Sequence, residues 1–320
     1  MTETARAHGR RMVLGYGACA LAGCLWGTGF YFGRLALNEM SVEHMVLYRF
    51  LFACVGMVPV ALYYRVRLTG REIRMLLISA ALGVPVQFLL QFHGLARTTV
   101  SHASLMVGAM PVLLAAAAAM FAGESLDWFG WLALAGSTTG AALIVLGGSH
   151  GPAAHGEPTL TGDLMVIASL ATSLAWILLS KKLMRSHSPP AVTAYSILSG
   201  AAMLFVWVLG PWILSPLTHA HVTPPPFAQV SGTAWMALAI SGVLCTATTT
   251  LLWNWGIHNV PASRAGVFLN IEPALGSYLG VRLLGEHLGP YAWVGGGLIL
   301  AAAVALTTRG HQPEPDVILE

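Results

Sequence analysis

SRAGVFLNIEPALGSYLGVRLLGE, residues 263–286, is the stretch from which the rest of the chain is read. It is apolar enough to lie in lipid, yet Asn270 and Glu272 stand at its centre and Pro273 follows directly. One turn on comes Gly276-x-x-x-Gly280, a spacing that lets two helices approach closely, and Gly285-Glu286 closes the stretch. A carboxylate and a proline at membrane depth are costly, so they imply a transport pathway or a neighbour that satisfies them.

A worn copy of this stretch lies earlier. At a fixed offset of 162 residues, 91–142 aligns on 253–304 without gaps. Gly94 falls on Gly256, Ser101 on Ser263, Pro111 on Pro273, Gly123-Glu124 on Gly285-Glu286 and Trp131 on Trp293. Nearer the start of each half, an offset of 147 pairs Arg34 with Lys181, Ser41 with Ser188 and Tyr48 with Tyr195. Apolar helices share residues by composition alone. A proline, a Gly-Glu pair and a tryptophan in one register indicate a duplicated unit.

The whole chain is built like this stretch. Its 320 residues are 56% hydrophobic and only 9% charged, with a mean hydropathy of +0.70. A soluble domain carries about 25% charged residues, so lipid must be the main solvent here. A bilayer core takes roughly 20 residues per helix. Segmentation on that basis gives about ten spans, near 13–33, 45–64, 73–92, 101–121, 128–147, 163–182, 191–213, 234–255, 264–284 and 290–308. The expected organisation is an N-terminal tail (1–12), a first five-helix repeat (13–147), a linker (148–162), a second repeat (163–308) and a C-terminal tail (309–320). Five spans is an odd number, so the second repeat enters from the opposite side and the repeats are inverted.

Orientation follows from lysine and arginine. With the N-terminus cytoplasmic, twelve of them fall on that side, only Arg34, Arg97 and Arg282 on the other, and Arg49 just inside the second span. The expectation is a multi-pass plasma (inner) membrane protein with both termini cytoplasmic.

Several classes find no support. A net charge of +3 with no long basic run does not point to nucleic acid. Cys19, Cys24, Cys54 and Cys245 all lie in apolar runs without metal spacing, and His219-x-His221 alone is a poor metal site. No nucleotide or hydrolase motif appears, so neither cofactor nor metal is expected. A membrane-embedded enzyme on a lipid-linked substrate would cluster His, Asp or Glu near one interface, and the histidines are scattered. A non-transporting membrane sensor would need a soluble domain to pass its signal on. Nothing sets an oligomeric state.

LWGTGFYFGRLAL followed by YRF, SKKLMRSHSP, NVPASRAGVFLNIEPALGSYLGVRLLGE and the terminal GGGLILAAAVAL resemble EamA-type transporters of the drug/metabolite transporter superfamily, over about 13–308. The resemblance implies an all-α polytopic protein of ten transmembrane helices in two inverted EamA repeats around a central cavity. It also implies movement of small metabolites, often amino acids or related compounds and often outward. The expected function is therefore a secondary transporter, an exporter working by alternating access on a small-molecule solute, with protons as the candidate coupling ion. The chain departs from the family pattern in its fourth span. Gly108-Ala109-Met110-Pro111 stands where the ninth has Asn270-Ile271-Glu272-Pro273, so any polar role at the midplane is one-sided.

The candidate residues each have a plainer role beside the functional one. Glu272 starts about nine residues into its span, roughly 13 Å deep. It is a proton-coupling or substrate-amine site, or else a structural acid bonded to backbone freed by Pro273. Asn270 lies about 200° around an α-helix from it, so the two do not share one cavity. Arg49 is placed to hold a substrate carboxylate, or to snorkel to the headgroups. Gln87 and Gln91, one turn apart after Pro85, form a hydrogen-bonding wall or interhelical glue. Trp26, Tyr195 and Tyr278 are embedded aromatics for stacking or for packing. Pro85, Pro111, Pro273, Gly276 and Gly280 are expected to break or pack helices. Glu124 and Glu286 end matching spans as helix-terminal or gate contacts, and Arg282, one turn before Glu286, offers a local ion pair.

Overall fold

In lipid a backbone must satisfy its own hydrogen bonds, and helices do so within each segment. The computed structural model describes residues 3–113, 116, 128–147, 158–218, 229–260 and 266–309, and among them there is no strand. The first half contains α1 (Glu3–Leu37), α2 (Val42–Tyr63), α3 (Gly70–Ala81), a π-helical segment (Leu82–Val86), α4 (Gln87–Leu95), α5 (Val100–Val107) and α6 (Trp128–Gly147). The second contains α7 (Leu160–Leu183), α8 (Pro189–Thr218), α9 (Gly232–Ala239), a longer π-helical segment (Ile240–Thr248), α10 (Thr249–Asn259), a 3₁₀ turn (Gly266–Asn270), α11 (Ile271–Leu283) and α12 (Pro290–Arg309). Six of these runs are long and apolar enough to cross a membrane, among them Val42–Tyr63, Gly70–Leu95 and Gly232–Gly256. Val100–Leu113, Trp128–Ile144 and Pro290–Ala305 are shorter apolar helices within the described residues.

Contacts between helices repeat under exchange of the halves. α1 packs on α10, and its counterpart α7 packs on α4. α1 packs on α11, and α7 on α5. Three pairs map onto themselves, namely α2 with α8, α5 with α11, and α6 with α12. This is the contact pattern of two like units related by a pseudo-two-fold axis.

The ninth span is not the continuous helix expected over 264–284. It is 3₁₀ up to Asn270 and α from Ile271. The 200° separation of Asn270 and Glu272 therefore fails, because an α-helical angle does not apply across that junction. At the offset of 162 the fourth span breaks in the same place, since α5 stops at Val107 and a turn occupies 108–109. Pro111 and Pro273 both fall just after these breaks, where a restarting helix has no use for the missing N–H. The third and eighth spans also match, because Leu82–Val86 maps at that offset inside Ile240–Thr248 and both are π-helical. Pro85 accounts for the first, since widening relieves the clash of its ring with the preceding turn. In the second, threonines take up the carbonyls that widening frees. Thr246 Oγ1 donates to Ser241 O at 3.0 Å and Thr249 Oγ1 to Leu244 O at 2.5 Å.

The loops 38–41, 96–99, 229–231 and 284–289 meet at the end of the bundle away from the chain termini. The Arg34 guanidinium donates to Leu95 O (2.8 Å) and Thr98 O (3.0 Å). Thr98 donates to the buried Asp163, whose other oxygen lies 3.6 Å from His102 Nδ1. Glu39 accepts from Ser231 N (2.6 Å) and Ser231 Oγ (2.7 Å) at the start of α9, and these bonds hold its carboxyl below the usual range. Gly285 has a left-handed φ of 67°, so the chain doubles back after α11 and Glu286 N bonds to Gly280 O at 3.2 Å. That turn aims Glu286 at the start of α5, where it accepts from Val100 N (2.7 Å), Ser101 N (2.8 Å) and Ser101 Oγ (2.7 Å). The expected local pair with Arg282 is replaced by a contact between halves. Glu124 and the histidines of 219–221 lie outside the described residues.

Candidate functional site

Arg49 is the cation buried at the centre. α2 is N-capped by Ser41, whose side chain accepts from His44 N, and two turns later it delivers Arg49 among Met45, Tyr48, Phe50 and Ala53, all buried. Arg49 itself is 5% exposed. Its Nε donates to Thr246 Oγ1 at 3.1 Å. The Thr246 hydroxyl already gives its proton to Ser241 O five residues back, a spacing set by the π-helix, so its lone pair is free to face the guanidinium. Phe88 and Phe92 lie under the cation at 5.0 and 5.3 Å, contacts worth about 0.5–2 kcal/mol each. On the far side the guanidinium reaches α1 at Gly29, where a Cβ would stand 3.6 Å from Nη2 and 3.7 Å from the Cys245 Cβ. Thr28 and Cys245 Sγ are 3.2 Å apart in the same layer.

Only Nε is paired. Among the described residues, Nη1 and Nη2 have no hydrogen-bond acceptor and no carboxylate lies within ion-pair distance. A guanidinium has five donors in a planar fork, and burying it unpaired is strongly unfavourable. Glu272 lies beyond ion-pair distance but interacts electrostatically with Arg49. It occupies the first turn of α11, where the helix dipole favours a carboxylate. α1 presses on that turn, and a Cβ at Gly27 would stand 3.0 Å from Glu272 O. Arg49 and Glu272 thus flank one stretch of α1, reached from α2 and from the break in the ninth span.

The other sequence candidates fall at varying distances from this pair. Gln87 begins α4 just after the π-helical segment and is buried, with its Oε1 lacking a hydrogen-bond partner among the described residues. Gln91 is buried one turn on. Asn270 occupies the N-cap position of α11, half-buried. Trp26 is half-buried against Trp253, with ring centroids 5.5 Å apart. Tyr195 turns to the end of α2, its hydroxyl donating to Ala61 O at 3.3 Å. Tyr278 is 57% exposed on the outside of α11. Gly276 and Gly280 press instead on α5. A Cβ at Gly276 would stand 2.8 Å from the Ser104 Cβ, and one at Gly280 3.0 Å from Ser101 N. Sequence reasoning missed Thr246, Cys245, Phe88 and Phe92. The signal available was the threonine run 246–250 in an otherwise apolar span.

The two halves differ at this layer. At the offset of 147, Arg49 corresponds to Ser196 and Gly29 to Trp176, while at 162 Cys245 corresponds to Gly83. Trp176 lies on Gly83, and its Nε1 donates to Ser196 Oγ at 3.2 Å. An indole therefore fills in one half the place that the guanidinium fills in the other.

Known proteins share this architecture. A crystal structure at 18% identity, aligned over 93% of this chain and 98% of that one, gives a TM-score of 0.59. An uncharacterized transporter from Archaeoglobus fulgidus is 24% identical over 296 residues, covering 92% of this chain and 97% of the relative. A probable terminal-alkyne amino-acid exporter from Streptantibioticus cattleyicolor is 24% identical over 293 residues, covering 91% and 93%. The model of the EamA-like transporter family matches twice, over residues 13–146 and 160–308. Two matches joined by a short linker reproduce the internal repeat, and together they take in both the π-helical spans and both broken ones. This chain is a multi-pass membrane protein and belongs to the EamA-like transporter family.

Proposed function

We propose that the protein is a secondary carrier that exports amino acids or closely related zwitterions by alternating access, with Arg49 holding the substrate carboxylate. The observation that carries this reading is the buried guanidinium whose two terminal nitrogens find no acceptor among the described residues. A carboxylate accepts two parallel N–H bonds from such a fork, and the charge of the substrate then replaces the missing partner. Glu272, on the other side of α1, supplies the opposite charge for the ammonium group. The name of the Streptantibioticus relative supports the amino-acid class. The pseudo-two-fold contact pattern supplies two like halves, which is the arrangement that alternating access uses.

The test is counterflow of labelled amino acids in proteoliposomes. Arg49→Lys is expected to weaken zwitterionic and acidic solutes at least tenfold more than cationic amines, because a point charge does not reproduce the bidentate fork. Equal loss across all solutes assigns Arg49 a structural role. Glu272→Gln is expected to abolish the pH dependence of flux in a protein that still folds; unchanged dependence removes Glu272 from coupling.

A further inference from the structure

We infer that Trp176 sets the substrate size limit and restricts the carrier to one anionic group per substrate. This rests on the reading of Arg49 given above and concerns the opposite wall of the same site.

The guanidinium lies between α1 at Gly29 and the eighth span at Cys245. Its pseudo-two-fold image lies between the equivalent residues, Trp176 of α7 and Gly83 of the third span. The indole ring occupies that image, for it lies directly on Gly83, where any Cβ would strike the ring. Each half balances volume in its own way. Gly29 with Arg49 is a small residue beside a long cation, and Trp176 with Ser196 is a large ring beside a small hydroxyl. The Nε1–H bond to Ser196 fixes the ring in place. A second guanidinium would need both the space of the indole and the position of Ser196, so the second half reads no carboxylate.

The third span ties both walls to one site. Gly83 carries the indole and Phe88 the guanidinium, five residues or about 7 Å apart along the axis. Gln87 lies between them, 9% exposed, with its Oε1 unpartnered. A buried amide oxygen without a donor needs one from a ligand, and a substrate ammonium provides it. The site then takes a carboxylate at Arg49 and an ammonium that donates to Gln87 while Glu272 supplies its countercharge from across α1, with an uncharged side chain ending at Trp176.

The test measures counterflow ratios with full-length protein in proteoliposomes, using L-alanine, L-leucine, L-tryptophan and L-glutamate. Trp176→Ala is expected to raise tryptophan flux relative to alanine at least fivefold, and Trp176→Phe to raise it about twofold in the same direction. Trp176→Gly combined with Ser196→Arg is expected to raise glutamate relative to leucine at least tenfold. An unchanged size preference in both single variants overturns the inference, as does a double variant that folds without gaining glutamate. If the wild type moves no amino acid, the amino-acid reading falls. The inference is then decided by thermal shift with acetate, pentanoate and 3-phenylpropionate. Trp176→Phe should move the preference toward the longer acids, and an unmoved order of the three overturns it.

Discussion

Glu286→Gln measures how much the contact between halves at the start of α5 contributes. Glu286 takes three short bonds, from Val100 N, Ser101 N and Ser101 Oγ. Both residues are fully buried, so no water replaces a lost acceptor. Glutamine keeps one oxygen but turns an NH2 toward the remaining donors. One orphaned buried N–H costs about 1–3 kcal/mol. Losing the negative charge at a helix N-terminus removes about 0.5–2 kcal/mol more. The expected loss is therefore about 1.5–5 kcal/mol, in a protein whose total stability is of order 10 kcal/mol. Thermal unfolding in one detergent should show a fall of several degrees, with Glu286→Asp intermediate because its shorter arm does not span both nitrogens. Arg282→Gln should leave the midpoint in place. Equal destabilisation by Arg282→Gln and Glu286→Gln would refute the reasoning and restore the local ion pair.

Gly276→Ala should destabilise by about 1–3 kcal/mol through overpacking against Ser104, and Ser104→Gly should relieve most of it; a double-mutant cycle on thermal midpoints without coupling removes that contact. The carboxyl of Glu39 is held below its unfolded value of about 4.3 by its bonds to Ser231. Its contribution is therefore present above that pH and lost as the pH falls through the folded value. Acid unfolding of Glu39→Gln should lack that component while matching wild type at pH 7 in slope, and parallel curves throughout would discount the contact.

The duplicated frame was legible because a proline, a Gly-Glu pair and a tryptophan survive in register, and because lipid demands long apolar runs. Arg49 and Glu272 were legible because charge is rare at that depth. The partners of Arg49 were not, since Thr246 is 197 residues away in sequence. Pro85 and the threonines of 246–250 marked the places of the π-helical segments but not their geometry. Where every face is apolar, a period of 3.6 and a wider one give the same hydrophobic pattern. The 3₁₀ turn before Asn270 was hidden in the same way, and with it the relation of Asn270 to Glu272. Glu286 was misassigned to Arg282 because helical spacing was carried past Gly285, whose left-handed backbone ends the helix first. Trp176 is one aromatic in a long apolar run, with nothing beside it in sequence to mark it out. Its role appears only when both repeat offsets are laid on one contact.

The π-helical segment at Leu82–Val86 also acts as a spacer in the reading of the third span. A π turn is an α-helix carrying one extra residue, so everything beyond it is rotated by about 100° relative to an uninterrupted helix. Gly83 and Phe88 face their respective partners because that residue lies between them. Removing a single residue here would leave hydropathy and span length almost untouched. It would nevertheless swing Phe88 and Phe92 off the guanidinium and bring Gln87 and Gln91 to other neighbours. Sequence length in this short segment is therefore a determinant of chemistry, and relatives that gain or lose one residue within it are expected to differ in what they carry even where every named side chain is retained.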